Sequence, residues 1–170
     1  DVQIDQRKEY DLRRNGRSEI PVMDIDLLTH HLSAKIIKPY NKSNVHAGVD
    51  VFLKNNHNTP GTGIQAIIPN YTTQNFAAWM HHKLTLKKFE LDAGWRYEFQ
   101  QYNVSTFNNL NQLIFPKKTY NTFAISATLF YKINQILDWT SGLTLSNRAP
   151  NINELFSQGV HQSAAAIEYG

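Results

Sequence analysis

The sequence predicts an all-β fold: an antiparallel, up-and-down sheet of about eight long strands, forming a fragment of a transmembrane β-barrel. Three observations carry that expectation. The first is alternation. Phe89, Leu91, Ala93, Trp95, Tyr97 and Phe99 face one way; Glu90, Asp92, Gly94, Arg96, Glu98 and Gln100 face the other. No helix sustains a period of two over that distance. The second is length. The strand-like runs reach roughly 13 residues or more, where about 5–6 is usual and ~9–11 suffice to cross a membrane. The third is the rhythm of connections. From the third run onward they alternate long and short, as in a barrel with long outer loops and tight turns at the other end.

The elements follow in order. Asp1–Arg13 begins by alternating Val2 and Ile4 against Asp1, Gln3 and Asp5, and Asn15-Gly16 breaks it. Ile20–Lys38 is a second run, with Met23, Ile25, Leu27 and Thr29 opposite Asp24 and Asp26. A turn at Pro39-Tyr40-Asn41 leads to Ser43–Asn55, where Val45, Ala47, Val49, Val51 and Leu53 share a face. The polar segment Asn56–Asn70, with two prolines and two glycines, reads as a loop. Tyr71–Thr85, a tight turn at Leu86-Lys87-Lys88 and Phe89–Tyr102 follow. A second loop spans Asn103–Lys117. Lys118–Lys132 and Gln135–Asn147 flank a turn at Asn134, and a third loop, Arg148–Gln162, precedes an eighth strand at Ser163–Gly170.

Composition narrows the function classes. The net charge is +3 without any basic run, so nothing points to nucleic acid. The chain has no cysteine, which removes disulfides, thiolate metal sites and Cys nucleophiles. No apolar stretch approaches the ~18 residues of a membrane helix. A mean hydropathy of -0.45 remains compatible with a membrane barrel, because alternating strands average out. Aromatics Phe89, Phe99 and Tyr131 near strand ends suit interfacial girdles. The competing reading is a soluble β-barrel or β-sandwich that binds a ligand or protein partner, with the same apolar faces turned into a core.

The last quarter carries a longer pattern. Arg148-Ala149-Pro150 is followed by Glu154-Leu155-Phe156, by Gly159-Val160-His161, and by Glu168 and Gly170. Pro150 ends a strand and suits the first turn of a helix, and Asn151 or Asn153 could cap it. This ordered run resembles the TonB-dependent receptors of bacterial outer membranes, as do QIDQRKEYDL, PVMDIDLLTHHL and the strand with Leu91, Gly94, Arg96, Tyr97 and Glu98. The resemblance covers nearly the whole chain, 1–170, as one partial barrel domain. It implies a barrel of about 22 strands filled by a plug domain, of which this is a middle piece. It also implies outer-membrane lipid around the wall, a TonB coupling protein engaged through the plug-bearing region, and energy-coupled import of a scarce nutrient. The substrate would be a siderophore, a metal chelate or another small ligand.

No enzyme is expected: there is no G-x-S-x-G elbow, H-E-x-x-H or phosphate loop. No cofactor or metal site is expected either. Of seven histidines, the pairs His30-His31 and His81-His82 each point to opposite faces of a strand, so neither chelates as a unit. The Gly159-Val160-His161 run resembles that of receptors associated with metal uptake. Candidate ligand- or plug-contacting residues are Arg148, Asn153, Glu154, His161 and Arg96. Gly48, Gly94 and Gly142 lie on polar faces, where a close approach or a bend in the wall would require them. A cut wall has two raw edges. The expectation is that Asp1–Arg13 closes onto Ser163–Gly170, or that the edges pair with a second copy.

Overall fold

The computed structural model describes residues 1–11, 16–108, 110–161 and 166–169, the backbone alone for 158–161 and 166–169. The strands are β1 (Val2–Glu9), β2 (Met23–Tyr40), β3 (Ser43–Asn58), β4 (Asn70–Leu86), β5 (Phe89–Phe107), β6 (Leu113–Ile114), β7 (Lys117–Lys132), β8 (Asp138–Ser146), β9 (Gln158–His161) and β10 (Ala166–Tyr169), with one helical turn, α1 (Ile152–Phe156). An eight-stranded antiparallel sheet runs β1-β2-β3-β4-β5-β7-β8, with the two-residue β6 paired to the end of β5. Each strand neighbours the next, so all long connections leave from one end and all tight turns from the other. The turn after β7 is held by the Asn134 side chain, whose Oδ1 accepts the amides of Ile136 and Leu137 at 2.8 Å each.

The register puts one continuous apolar face on the sheet. Along one line of it, Leu32 lies opposite Val51, Val51 opposite Phe76, and Phe76 opposite Phe99. Met80, Trp95, Ile125 and Leu145 form a second line. Phe89, Leu91, Tyr97, Val45, Val49, Leu129 and Leu143 fall on the same face, as the alternation requires. Leu137 lies in the turn before β8. This face is bare: Leu32 is 71% exposed, Ile36 73% and Leu143 77%. The charged face is the sheltered one, with the Asp50 and Glu98 side chains only 16% and 24% exposed. A water-soluble sheet buries its apolar face; this one has the opposite polarity, as a lipid-facing wall does.

The apolar band has a readable height. Phe89 and Tyr131 are register partners with stacked rings 4.5 Å apart, and they mark the turn end. Phe99 and Phe76 mark the other limit; beyond them the same face carries Gln74, Gln101, Thr72 and Asn103. Ten steps at about 3.3 Å, tilted by about 40°, span ~25 Å, the height of a barrel's lipid band. The strands continue past it, so their outer ends stand clear of the lipid.

Several expectations are corrected. Strand β2 places Leu28, Leu32, Ala34 and Ile36 outward, on the parity of Asp24 and Asp26, while Met23 and Ile25 turn inward and are buried. The outer end of β2 stands above the lipid. There the loop after β3 covers it, through the Thr59 amide donating to the Asp24 carbonyl at 2.9 Å. The loop expected at Asn103–Lys117 is shortened by the extension of β5 and by β6. The segment expected as an eighth strand, Ser163–Gly170, contributes β10, which pairs with β9 in a separate hairpin; residues 162–165 and 170 lie outside the described residues. Closure does not occur: the sheet is open, with β1 and β8 at its two ends. The physical reason lies in curvature. Closure needs a tilt and stagger matched to strand number, and the register here leaves β1 and β8 apart.

Gly48 has a local cause rather than a general one. A Cβ there would lie 2.6 Å from the Trp79 ring and 2.8 Å from the Ala34 carbonyl oxygen. The indole lies across the glycine on the polar face, against its register partner.

Two outcomes are expected in the intact barrel. Ile125→Lys, mid-band, should cost about 2–4 kcal/mol of folding into bilayers, whereas Leu91→Lys, one row from the girdle, should cost about 0–1 kcal/mol. Equal costs would misplace the band. Gly48→Ala should cost about 1–3 kcal/mol in the same assay, and Trp79→Ala should remove only the ring's part of that penalty, since the Ala34 carbonyl oxygen still lies 2.8 Å from the added Cβ; complete removal of the penalty would show that the ring alone was the obstacle.

Candidate ligand-facing site on the polar face

The site is built where the chain leaves the wall. After Ser146 the strand pairing ends with Asn147, whose amide donates to the Phe123 carbonyl at 3.2 Å and whose side-chain Oδ1 accepts the Phe123 amide at 2.7 Å. The chain then turns onto the polar face. Pro150 cannot donate to a ladder. Its carbonyl accepts the Tyr102 hydroxyl at 2.9 Å. Ile152 is 5% exposed and packs with Tyr102 and Val104; Ile68, Tyr71, Tyr120, Leu155 and Phe156 surround them. Tyr71, Tyr102, Val104 and Tyr120 all have inward parity on their strands. A five-residue helix is far below the length that is stable alone, so this apolar seat holds it.

Arg148 and Glu154 lock the corner. The guanidinium donates twice to the carboxylate, at 2.7 and 2.6 Å, in a bidentate pair. The Asn151 amide donates to the same carboxylate at 2.7 Å, which satisfies an N-terminal donor of α1. Arg148 first, then the Asn151 amide, pull the Glu154 carboxyl from the usual 4.5 down to about 2, and Glu154 raises Arg148.

Arg96 stands on β5 below this corner. It donates to Asp50 at 2.8 Å and to Glu98 at 3.2 Å, and Asn75 donates to Glu98 at 2.6 Å. His31 stacks flat on Phe52, centroids 4.0 Å apart, with its Nε2 3.8 Å from Asp50. Nearer the turn end, His81 pairs with Asp92, and Lys83 with Glu90 at 2.7 Å. His30 and His82 have the opposite, lipid-facing parity.

Two adjoining clefts result. One, of about 290 Å³, is lined by Arg96, Glu98, Gln100, Thr122, Arg148 and Asn151 among others. The second, of about 270 Å³, lies between α1 and β3–β5 and is lined by Lys54, Tyr71, Thr73, Gln100, Asn153 and Glu154 among others. Four of the five residues expected from sequence, Arg148, Asn153, Glu154 and Arg96, thus meet at one mouth. The side chain of the fifth, His161, lies outside the described residues; its backbone belongs to β9. Sequence reasoning did not single out Lys54, Asp50, Gln100 or Tyr102. Their polar-face parity was readable, but only the register aligns them across strands.

A family model described as TonB dependent receptor-like, beta-barrel matches residues 9–170. The chain belongs to this family. It is a family of outer-membrane receptors and transporters, whose barrels work with a plug and the TonB protein. Comparison with curated proteins and with solved structures returns no match.

The corner should show a definite acid response. Glu154 is lowered on folding, so its contribution is complete above about pH 4.5 and fades as pH falls through about 2. Hydrogen-exchange protection at Asn151 and Ser157 in the intact receptor should hold from pH 7 to about 4.5 and decline toward 2. Glu154→Gln should lower it throughout and flatten the response; full protection in that variant would show that the apolar seat suffices.

Proposed function

We propose that residues 1–170 form one partial β-barrel domain of an outer-membrane receptor in the bacterial cell envelope, and that the intact protein imports a scarce nutrient by energy-coupled transport. The observation that carries the reading is the inverted polarity of the sheet. A bare apolar band needs lipid, and a sheltered charged face needs a polar filling. A plug domain of the same receptor supplies that filling, and coupling to the TonB protein supplies the energy. Arg148, Asn153, Glu154, Arg96 and His161 meet the ligand or the plug at the outer mouth. The ligand is a siderophore, a metal chelate or another small molecule. The chain carries out no catalysis.

The test is transport by the intact receptor in cells stripped of other such receptors. Uptake of a nutrient found by growth rescue should require TonB. It should fall about tenfold or more in an Arg148→Ala, Asn153→Ala variant that inserts normally, the scale of one lost charged hydrogen bond. Undiminished uptake would remove the mouth from the ligand's path. A receptor that stays soluble and folded without detergent would favour the soluble binding module instead.

A further inference from the structure

Lys54 differs from every other charged group in the mouth. It lies on β3 with inward parity and lines the cleft under α1. The cleft's other charge, Glu154, is held by both guanidinium nitrogens of Arg148 and by the Asn151 amide. Arg96 in the adjoining cleft is shared by Asp50 and Glu98. The Lys54 side chain makes no ion pair or hydrogen bond among the described residues. Its ladder neighbours are Thr29 on β2 and Thr73 on β4, and the same-face positions along β3 are Phe52 and Asn56. No carboxylate occupies any of these positions. The nearest inward carboxylate on its own strand, Asp50, is already committed to Arg96.

We infer that Lys54 is the seat for an anionic oxygen of the imported molecule, so that the mouth takes a small acidic ligand bearing a carboxylate or similarly charged oxygen group. This inference rests on the reading of the mouth as the ligand site. The geometry supports it in three ways. The cleft under α1 holds one uncompensated positive charge, while the excess carboxylate of the Arg96–Asp50–Glu98 cluster lines the adjoining cleft, so an anion seated at Lys54 is neutralised there and a cation is not. The rest of the lining suits a polar molecule: Gln100 and Asn153 offer amide donors and acceptors beside Tyr71 and Thr73. Lys54 itself is exposed, so it is hydrated and accessible before binding. The negative group at this end of the cleft is fixed and compensated, so it neither competes for Lys54 nor attracts a cationic ligand.

The probe is a pool of small molecules from spent growth medium, split on anion-exchange resin into acidic and neutral fractions. Each fraction is incubated with the intact receptor, plug included, in detergent micelles, and retained species are read by native mass spectrometry. The expected result is retention from the acidic fraction. Lys54→Gln should weaken it about ten- to hundredfold, the scale of a lost charge-assisted hydrogen bond. Lys54→Glu should abolish it, Lys54→Arg should restore most of it, and added salt should weaken wild-type binding. A neutral species retained by the wild type and released by the Arg148→Ala, Asn153→Ala variant would overturn this inference while leaving the mouth as the ligand site. An acidic species retained equally by Lys54→Glu, or no retention from either fraction, would also overturn it.

Discussion

The structure depends on one requirement: in hydrocarbon, every backbone N–H and C=O must be satisfied by a neighbouring strand. This forces long antiparallel strands in unbroken sequence order, because only adjacent chain segments can supply a full ladder cheaply. The pairing is continuous over the band: β4 and β5 match from Leu86–Phe89 to Asn70–Ser105. With the ladder fixed, side-chain parity leaves no freedom. Within the lipid band one face must be apolar, and the charged groups there stand on the other.

That second condition explains the inner face. Arg96 is not a lone charge on a wall. It sits between Asp50 and Glu98, and Asn75 holds Glu98 in turn. Removing any one of these leaves a sheltered charge with fewer partners, which costs more than the pair's formation gains. The glycine at position 48 belongs to the same logic. The wall uses its own Trp79 to cover backbone at Gly48 on the polar side.

Most of the fold was legible because period-two alternation and connection length are local signals. The strand from Phe89 and the turns at Asn41, Lys87 and Asn134 could be placed from neighbours in sequence. The helical turn after Pro150 was also readable, since proline, asparagine and glutamate mark a helix start. Two things were not readable. Strand β2 changes its apolar parity along its length, from Met23, Ile25 and Leu27 near the outer end to Leu28, Leu32, Ala34 and Ile36 beyond, so parity alone could not say which side meets lipid. The mouth residues Lys54, Gln100 and Tyr102 belong to different strands, and nothing short of the register brings them together. The closure of the raw edges onto each other was misjudged for a related reason: curvature is a property of the whole barrel and is not encoded in any one strand.

The departure of the chain at Asn147 gives the wall a built-in depth gauge. Below that point β7 is paired on both sides; above it, from Thr122 to Lys117, the described residues pair β7 only with β5. A half-paired strand cannot lie in hydrocarbon. The outer lipid surface therefore lies no higher than the Phe123–Asn147 pair. Phe123 is the register partner of Tyr97, one row below the Phe99 that closes the aromatic belt. Backbone pairing and side-chain chemistry, two unrelated rulers, set the waterline within one row of each other.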